Sequence, residues 1–295
     1  DVFHWLRSKQ LDICCLTETH GKNDLFEIQQ WESQWGYKTF SSNCSDGRKK
    51  GVMILFNNTF SYTIHQSVSD PDGRYIILDL TIFDIRFLLV ALYGPNKDVP
   101  DFFNSLLRQI VDVGNYSIIM CGDFNVVQNY DLDTTGYENQ NNPNSQLAVF
   151  DMMNSLDLHD IFRDFHPESK TYSWHKAGTS LKQARLDYFL ISTDLSSFVE
   201  STAIRPGYRT DHSLILTYFT FVKQNRGRGT WKFNNSLLYD PIYVGKVKQC
   251  IKRVTNQYQK MQNNVNNPES VELQIDDQLF FEMLKLEIRG MTIPY

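Results

Sequence analysis

Cysteine is scarce in this 295-residue chain, and it is unpatterned. The five cysteines, at 14, 15, 44, 121 and 250, have neither metal-knuckle nor disulfide spacing, and Cys14 and Cys121 fall in apolar strand-like runs. Buried, reduced thiols of an intracellular protein are therefore expected. No apolar run is long enough to span a membrane, so a membrane partner is not expected. Excess positive charge is also missing. A net charge of −5 does not advertise a nucleic-acid binder. Nor does it exclude one, because an acidic metal site adds negative charge and a local basic stripe can coexist with it. There is no repeat and no low-complexity tract. What is present is apolar material, 41% hydrophobic with 14% aromatic, enough for a sizeable core in one large domain or one domain plus an appendage.

The most informative stretch is Tyr116-Ser-Ile-Ile-Met-Cys-Gly-Asp123-Phe-Asn125. Ile118 to Cys121 has the length and β-branching of a buried central strand. Gly122 lets the backbone turn or approach something closely. Asp123 and Asn125, two apart, share a face in extended chain. A carboxylate beside a carboxamide suits a phosphoester, one taking a proton from water and the other holding the water or the phosphate. A solvated Gly-Asp turn is the competing reading.

Other strand ends carry matching chemistry. A helix over 2–10 feeds the apolar run Leu11–Leu16, which ends in Thr17-Glu18-Thr19-His20; open α/β sheets place their chemistry at such ends. A second helix is expected over 24–35, with Trp31 and Trp35 as packing residues. A Ser/Asn/Gly stretch from Ser41 to Gly47 leads to the cationic trio Arg48-Lys49-Lys50, a solvated loop or a backbone contact. Runs at 51–56, 60–65, 75–82 and 85–93 read as four strands of one antiparallel meander, ending in Tyr93-Gly-Pro-Asn96. Tyr93 is either a core aromatic or a donor to an anion. A helix over 101–113, capped by Asp101 and stopped by Gly114, precedes the central strand. The polar segment 129–144 reads as a substrate-facing loop, and 145–156 as a helix. A short strand is expected at 171–174. Asp187 opens the apolar strand 187–192, where a buried carboxylate needs a partner. Strands at 201–205 and 214–219 flank Thr210-Asp211-His212-Ser213. A buried carboxylate such as Asp187 can hold an imidazole in one tautomer and raise its pKa, leaving a cation for a phosphate.

Composition shifts after Phe221. Residues 223–232 carry four cations, no acid and two glycines, so the domain boundary is placed there: a domain over 1–221, a basic linker over 222–240 and a helical segment over 241–295. Asp240-Pro241 opens a helix to about 261, residues 263–268 link, and a second helix is expected over 269–289. Asp1-Val-Phe-His-Trp-Leu reads as the interior of a helix without a cap, and Met291–Tyr295 closes nothing, so a piece of a longer polypeptide is expected.

Four ordered motifs, Leu16-Thr-Glu18-Thr, Tyr93-Gly-Pro-Asn96, Gly122-Asp123-Phe-Asn125 and Arg185-Leu-Asp187-Tyr-Phe-Leu-Ile-Ser with Thr210-Asp211-His212-Ser213, make residues 1 to about 221 resemble the endonuclease/exonuclease/phosphatase superfamily. Within it, the Arg-Gly-Thr-Trp231-Lys-Phe-Asn234 tail is similar to the segment that follows the endonuclease domain in LINE-type non-LTR retrotransposon proteins, ahead of a reverse transcriptase.

The resemblance implies an α/β fold, a four-layer α/β/β/α sandwich. By position it implies that Glu18 binds Mg²⁺ (or Mn²⁺), Asp123 activates water and Asn125 orients it, and Tyr93 contacts the phosphate. Asp187 would support His212, which meets the phosphoryl oxygens. Asp211 would hold the metal or the leaving group, and Ser173 would lie near a phosphate contact. The family's first strand, with an Asn that shares the metal, would precede residue 1, leaving a metal ligand missing and a sheet edge open. The expected activity is hydrolysis of a DNA phosphodiester to leave a 3′-hydroxyl, as the target-site nicking domain of an element protein. DNA is the expected partner, with element RNA reached through the parent polyprotein, in the nucleus. Two rival readings stand beside it: a phosphatase or phosphodiesterase on lipid or inositol phosphates, and an inactive nucleic-acid-binding relic.

Overall fold

The computed structural model describes residues 2–22, 24–44, 50–114, 116–138, 141–178, 181–221, 235–259, 273–292 and 295. The chain forms two compact units, Asp1–Gln224 and Asn225–Tyr295. The basic stretch 223–232, Arg48 and Lys49 of the cationic trio, and the linker 263–268 lie outside the described residues.

The strands of the first unit are β1 (Ile13–Thr17), β2 (Thr39–Ser42), β3 (Val52–Phe56), β4 (Tyr62–Ser69), β5 (Tyr75–Ile82), β6 (Ile85–Tyr93), β7 (Ser117–Asp123), β8 (Thr134–Thr135), β9 (Leu158–Asp160), β10 (Trp174–His175), β11 (Gln183–Ala184), β12 (Asp187–Ser192), β13 (Val199–Arg205) and β14 (Leu214–Phe219). Its helices are α1 (Val2–Ser8), α2 (Leu25–Trp35), α3 (Pro100–Val113), α4 (Tyr130–Asp133), α5 (Pro143–Ser155) and α6 (Ile161–Phe165). The large sheet has the order β4-β5-β6-β7-β12-β9, antiparallel except for the parallel pair β6–β7. A second sheet, β1-β3-β2, and the ribbon β13–β14 accompany it, and β8, β10 and β11 form a small separate ladder.

Alternation along the strands sorts the core into layers. Val52, Ile54 and Phe56 of β3 pack with Ile76, Leu78 and Leu80 of β5, Phe87, Leu89 and Ala91 of β6, and Ile119 and Cys121 of β7, between the sheets. The intervening residues Leu88, Val90, Leu92, Ile118 and Met120 face the other way, onto Phe103, Leu106 and Ile110 of α3 and Val149 and Met152 of α5. On the far side, Cys14, Met53 and Leu55 meet Leu6 of α1 and Trp35 of α2. The result is helix, sheet, sheet, helix: the α/β sandwich expected. Each large side chain removed from water in these layers contributes about 1.5–3 kcal/mol before the entropy of ordering is counted.

Several elements differ from the sequence reading. The stretch Val52–Phe56 is not part of the meander. It is the centre of the second sheet, buried on both faces and paired on both edges, so the chain crosses between sheets before β4. The strand β2 falls partly in a stretch read as loop. Helix α3 begins at Pro100, which lacks the N–H a cap would satisfy, so Asp101 lies in the first turn rather than at the cap. Edge strand β9 and helix α6 have patterns too short to read. The segment 129–144 is not an open loop: it contains α4 and β8. The five cysteines are free thiols, four of them buried. No helix among the described residues is long and apolar enough to cross a membrane.

In the second unit, α7 (Pro241–Tyr258) opens at Asp240, whose side chain accepts from the N–H groups of Ile242 and Tyr243. Helix α8 (Asp277–Thr292) starts later than expected. Tyr243 of α7 and Thr292 of α8 share a buried hydroxyl–hydroxyl hydrogen bond of 2.6 Å.

Candidate active site

Three adjacent strands of the large sheet place their chemistry in one row. In the parallel pair β6–β7, Tyr93 is the register partner of Asp123; in the antiparallel pair β7–β12, Asp187 is. Partners in register share a face, so all three side chains emerge together where β6 and β7 end and β12 begins. Gly122 permits the close packing that holds this row. Its φ is +138°, and a Cβ there would lie 2.0 Å from the Leu92 carbonyl oxygen.

Asp123 is buried and pinned by Asn125. The Asn125 backbone N–H donates to Asp123 Oδ1 at 2.8 Å, and its side-chain Nδ2 donates to Asp123 Oδ2 at 3.1 Å and to the Gly94 carbonyl at 3.0 Å. Asn125 adopts this geometry with φ +54°, a left-handed conformation asparagine tolerates. Arg74 donates to the same Gly94 carbonyl and to that of Tyr93, both at 3.1 Å.

His212 comes from the turn before β14. Its Nδ1 lies 2.9 Å from Asp187 Oδ2, and its Nε2 lies 3.9 Å from Asp123 Oδ2. Burial opposes a charge on His212, but the hydrogen bond to Asp187 and the nearby carboxylates of Asp187, Asp123 and Asp211 outweigh it and push the imidazole up to about 9. The imidazole is therefore a cation at neutral pH. Burial and repulsion from Asp187 hold the Asp123 carboxyl well above the ordinary carboxylate range, with His212 pulling the other way.

Across the sandwich, Glu18 follows β1 with φ +53° and accepts a hydrogen bond from the Tyr93 hydroxyl. The Asn96 side chain lies 3.0 Å from that hydroxyl. Burial and the Glu18 carboxylate raise the Tyr93 phenol, which remains a proton donor at any physiological pH. About half of the Glu18 side chain is open to solvent. Asp211 is exposed, and its Oδ2 accepts from Trp174 Nε1 at 2.9 Å. Ser173 is wholly buried. Its Oγ accepts from the N–H groups of Leu186 and Asp187 at 2.9 and 3.0 Å. It therefore lies behind Asp187, with its hydroxyl spent on the backbone at the start of β12.

Among the described residues, Asp123, Asp187 and His212 form a group with ligand atoms within 4.8 Å of one another. Neither Glu18 nor Asp211, the two expected metal ligands, belongs to it. The imidazole already binds Asp187, and Mg²⁺ prefers oxygen donors, so His212 does not suit that ion as a ligand. Glu18 does fit such an ion: a hard carboxylate, half open to water, beside a surplus of negative charge, suits a cation that keeps most of its own waters.

Sequence reasoning missed a buried ionic cluster behind the row. Arg185 Nε and Nη2 bond to the two oxygens of Asp133 at 2.8 and 3.0 Å. Its Nη2 also lies 2.6 Å from Asp160 Oδ2, a charge contact without hydrogen-bond alignment. Arg163 adds a bond to Asp133 Oδ1 at 2.5 Å. The cluster ties α4 and α6 to the start of β12, two residues from Asp187. The signal available was a single arginine between Ala184 and Leu186; its partners Asp133 and Asp160 were 52 and 25 positions away.

The family profile described as Endonuclease/Exonuclease/phosphatase family matches residues 1–212. A transposon TX1 uncharacterized 149 kDa protein from Xenopus laevis is 25% identical over 255 residues, covering 84% of this chain. This chain spans about a fifth of that relative, 19% of its length. Among solved structures, the AP endonuclease LMAP from Leishmania major superposes with a TM-score of 0.64 at 19% identity, over 74% of this chain and 81% of that one. An AP endonuclease from Archaeoglobus fulgidus gives 0.59 at 19% identity, over 74% and 92%. The 3′ phosphatase NExo from Neisseria, bound to a product DNA hairpin, gives 0.57 at 19% identity, over 74% and 95%. With the profile extending over the strands that carry Glu18, Tyr93, Asp123 and Asp187 as far as His212, the chain belongs to the endonuclease/exonuclease/phosphatase family.

Proposed function

We propose that the first unit is a metal-dependent DNA endonuclease that hydrolyses a phosphodiester to leave a 3′-hydroxyl, serving as the target-site nicking domain of a retrotransposon protein. The observation that carries this reading is the register of Tyr93, Asp123 and Asp187 on three neighbouring strands, with His212 between the two carboxylates. The transposon relative supports the biological setting, and the DNA-processing structural neighbours support the substrate class. Action on chromosomal target DNA would take place in the nucleus, and element RNA would be reached through the longer protein.

In this mechanism Asp123 takes the proton of the attacking water. The step needs the ionised carboxylate, and the His212 cation beside it favours that form. Asn125 holds the carboxylate in one orientation. His212, protonated and oriented by Asp187, places a positive N–H against the phosphoryl oxygens as charge accumulates there. Asp211, exposed in the turn beside His212, would help hold the metal or the leaving group. Tyr93 fixes the Glu18 carboxylate. A Mg²⁺ ion held by Glu18, or Mn²⁺ in its stead, would supply Lewis-acid neutralisation of the phosphoryl group.

The test is nicking of supercoiled plasmid in the presence of Mg²⁺, followed by extension of the nicked end with a DNA polymerase. D123N should lower nicking by about 10²–10⁴-fold with an unchanged circular-dichroism spectrum. Near-full activity in D123N would refute the assignment. A phosphomonoesterase is the second reading, favoured by the similarity to a 3′ phosphatase. Release of inorganic phosphate from 3′-phosphorylated ends, without nicks, would establish it instead.

A further inference from the structure

The turn between β13 and β14 carries a feature that the hydrolytic chemistry does not use. Trp5 of α1 stacks on Tyr208 of the turn, with ring centroids 5.6 Å apart and planes inclined by 24°. Lys9 Nζ lies 5.0 Å from the Trp5 centroid, and the Arg209 guanidinium lies 5.3 Å from the Tyr208 centroid. The four side chains thus form a row: cation, ring, ring, cation. Lys9 and Arg209 are exposed, and neither forms an ion pair among the described residues. In a chain of net charge −5, two exposed cations beside a stacked ring pair, without an ion pair among the described residues, are conspicuous.

The row is fastened to His212. A Cβ on Gly207 would lie 2.1 Å from the His212 carbonyl oxygen, so the turn folds back onto that residue as only glycine allows. The His212 backbone N–H donates to Thr210 Oγ1 at 3.2 Å, and the His175 N–H donates to the Asp211 carbonyl at 3.0 Å. The one acid in the turn, Asp211, already accepts from the Trp174 indole. Arg209, with φ +53°, is three residues from the imidazole on this clamped turn. A guanidinium held near a ring face through its charge can still turn its N–H groups toward a phosphate.

We propose that Lys9, Trp5, Tyr208 and Arg209 form a rest for the phosphodiester backbone of duplex DNA on the His212 side of the site. Each cation takes one phosphate, and the ring pair fixes their separation. This rests on the reading of the site as a DNA hydrolase, and it adds the surface along which the substrate is laid. Contacts of this kind position a duplex without reading its sequence.

The test is fluorescence anisotropy with a fluorescein-labelled DNA duplex and the full chain, in EDTA, from about 50 to about 200 mM salt. Each phosphate contact contributes about −0.9 to the slope of log K against log salt. K9Q and R209Q should each make the slope shallower by about 0.9, and the double variant by about 1.8, whereas K9R and R209K should keep it. Unchanged slopes in natively folded K9Q and R209Q would overturn the rest. A protein that binds duplex with the expected slopes but never nicks plasmid would sink the hydrolase reading and leave the rest standing. One that nicks plasmid with unaltered slopes would do the reverse.

Discussion

Asp123 and Asp187 are register partners on adjacent antiparallel strands, and the imidazole of His212 spans them, 2.9 Å from one carboxylate and 3.9 Å from the other. One cation therefore serves two buried acids. That single relationship sets the protonation chemistry of the site: the Asp187 carboxylate raises the affinity of Asp123 for a proton, and both carboxylates raise that of the imidazole.

The first prediction concerns Asp187. Asn at this position can still accept a hydrogen bond but carries no charge. The His212 pKa in D187N should fall from about 9 toward the ordinary 6.5. Imidazole resonances followed by NMR through a pH titration will show the shift, and plasmid nicking should fall by about 10²–10⁴-fold. An imidazole that still titrates near 9 would mean that Asp187 is not what charges it.

Stability should also depend on pH, with a definite sign. The His212 pKa is raised on folding, so the native state binds this proton more tightly than the unfolded chain. Its contribution is complete below 6.5 and is lost as pH rises through about 9. Asp123 is raised in the same sense. Its contribution is complete below 3.8 and fades as pH climbs through its higher native value. Urea denaturation should give a lower free energy of unfolding at about pH 10 than at about pH 6, and H212Q should flatten that difference. The histidine's share is roughly 3 kcal/mol, from about 1.4 kcal/mol per tenfold change in proton affinity.

These relationships were partly legible in the sequence. The polar residues at the ends of apolar runs, Glu18, Tyr93, Asp123 and Asp187, could be read because buried strands have a period and an end. Their assembly rests on register, which the pattern along any one strand does not specify. The roles of Asn125 and Ser173 were harder, because both spend their hydrogen bonds on the site's own frame: Asn125 on Asp123 and Gly94, Ser173 on the backbone of β12. Residue type alone does not separate a group that faces substrate from one that holds its neighbour. The place of Val52–Phe56 was misread for a related reason. A run buried on both faces looks the same in either sheet, and only its two partners, β1 and β2, reveal which sheet it joins.

Ser173 gives the third prediction. S173A removes the acceptor for two buried N–H groups and leaves them without a partner, which costs about 1–3 kcal/mol. The loss should appear as a lower denaturant midpoint at unchanged m-value. S173T, which keeps the hydroxyl, separates loss of the acceptor from loss of packing. If S173A unfolds at the parent's midpoint, the hydroxyl is not bracing the start of β12.

The buried cluster around Arg185 gives the last. Arg185 is 1% exposed, Asp133 is fully buried, and Asp160 is 7% exposed. Removing only the cation, as in R185M, leaves acids in the core with too little compensation and should cost about 3–5 kcal/mol. Removing charge from both sides is a different experiment. In R185M/D133N one of the two acids is neutral as well, so part of the loss should return, because taking two ions out of water costs nearly as much as their attraction gives back. The double-mutant cycle, read from urea denaturation, should therefore show strong coupling between these positions. Additive losses would mean that the arginine acts through the aromatic rings beside it, the guanidinium lying 4.5 Å from the Tyr188 centroid and 5.4 Å from that of Phe162, rather than through Asp133. Either way β12 should shift at its first residues. Nicking in R185M should then fall further than its folded fraction accounts for, since Asp187 begins two residues beyond the arginine.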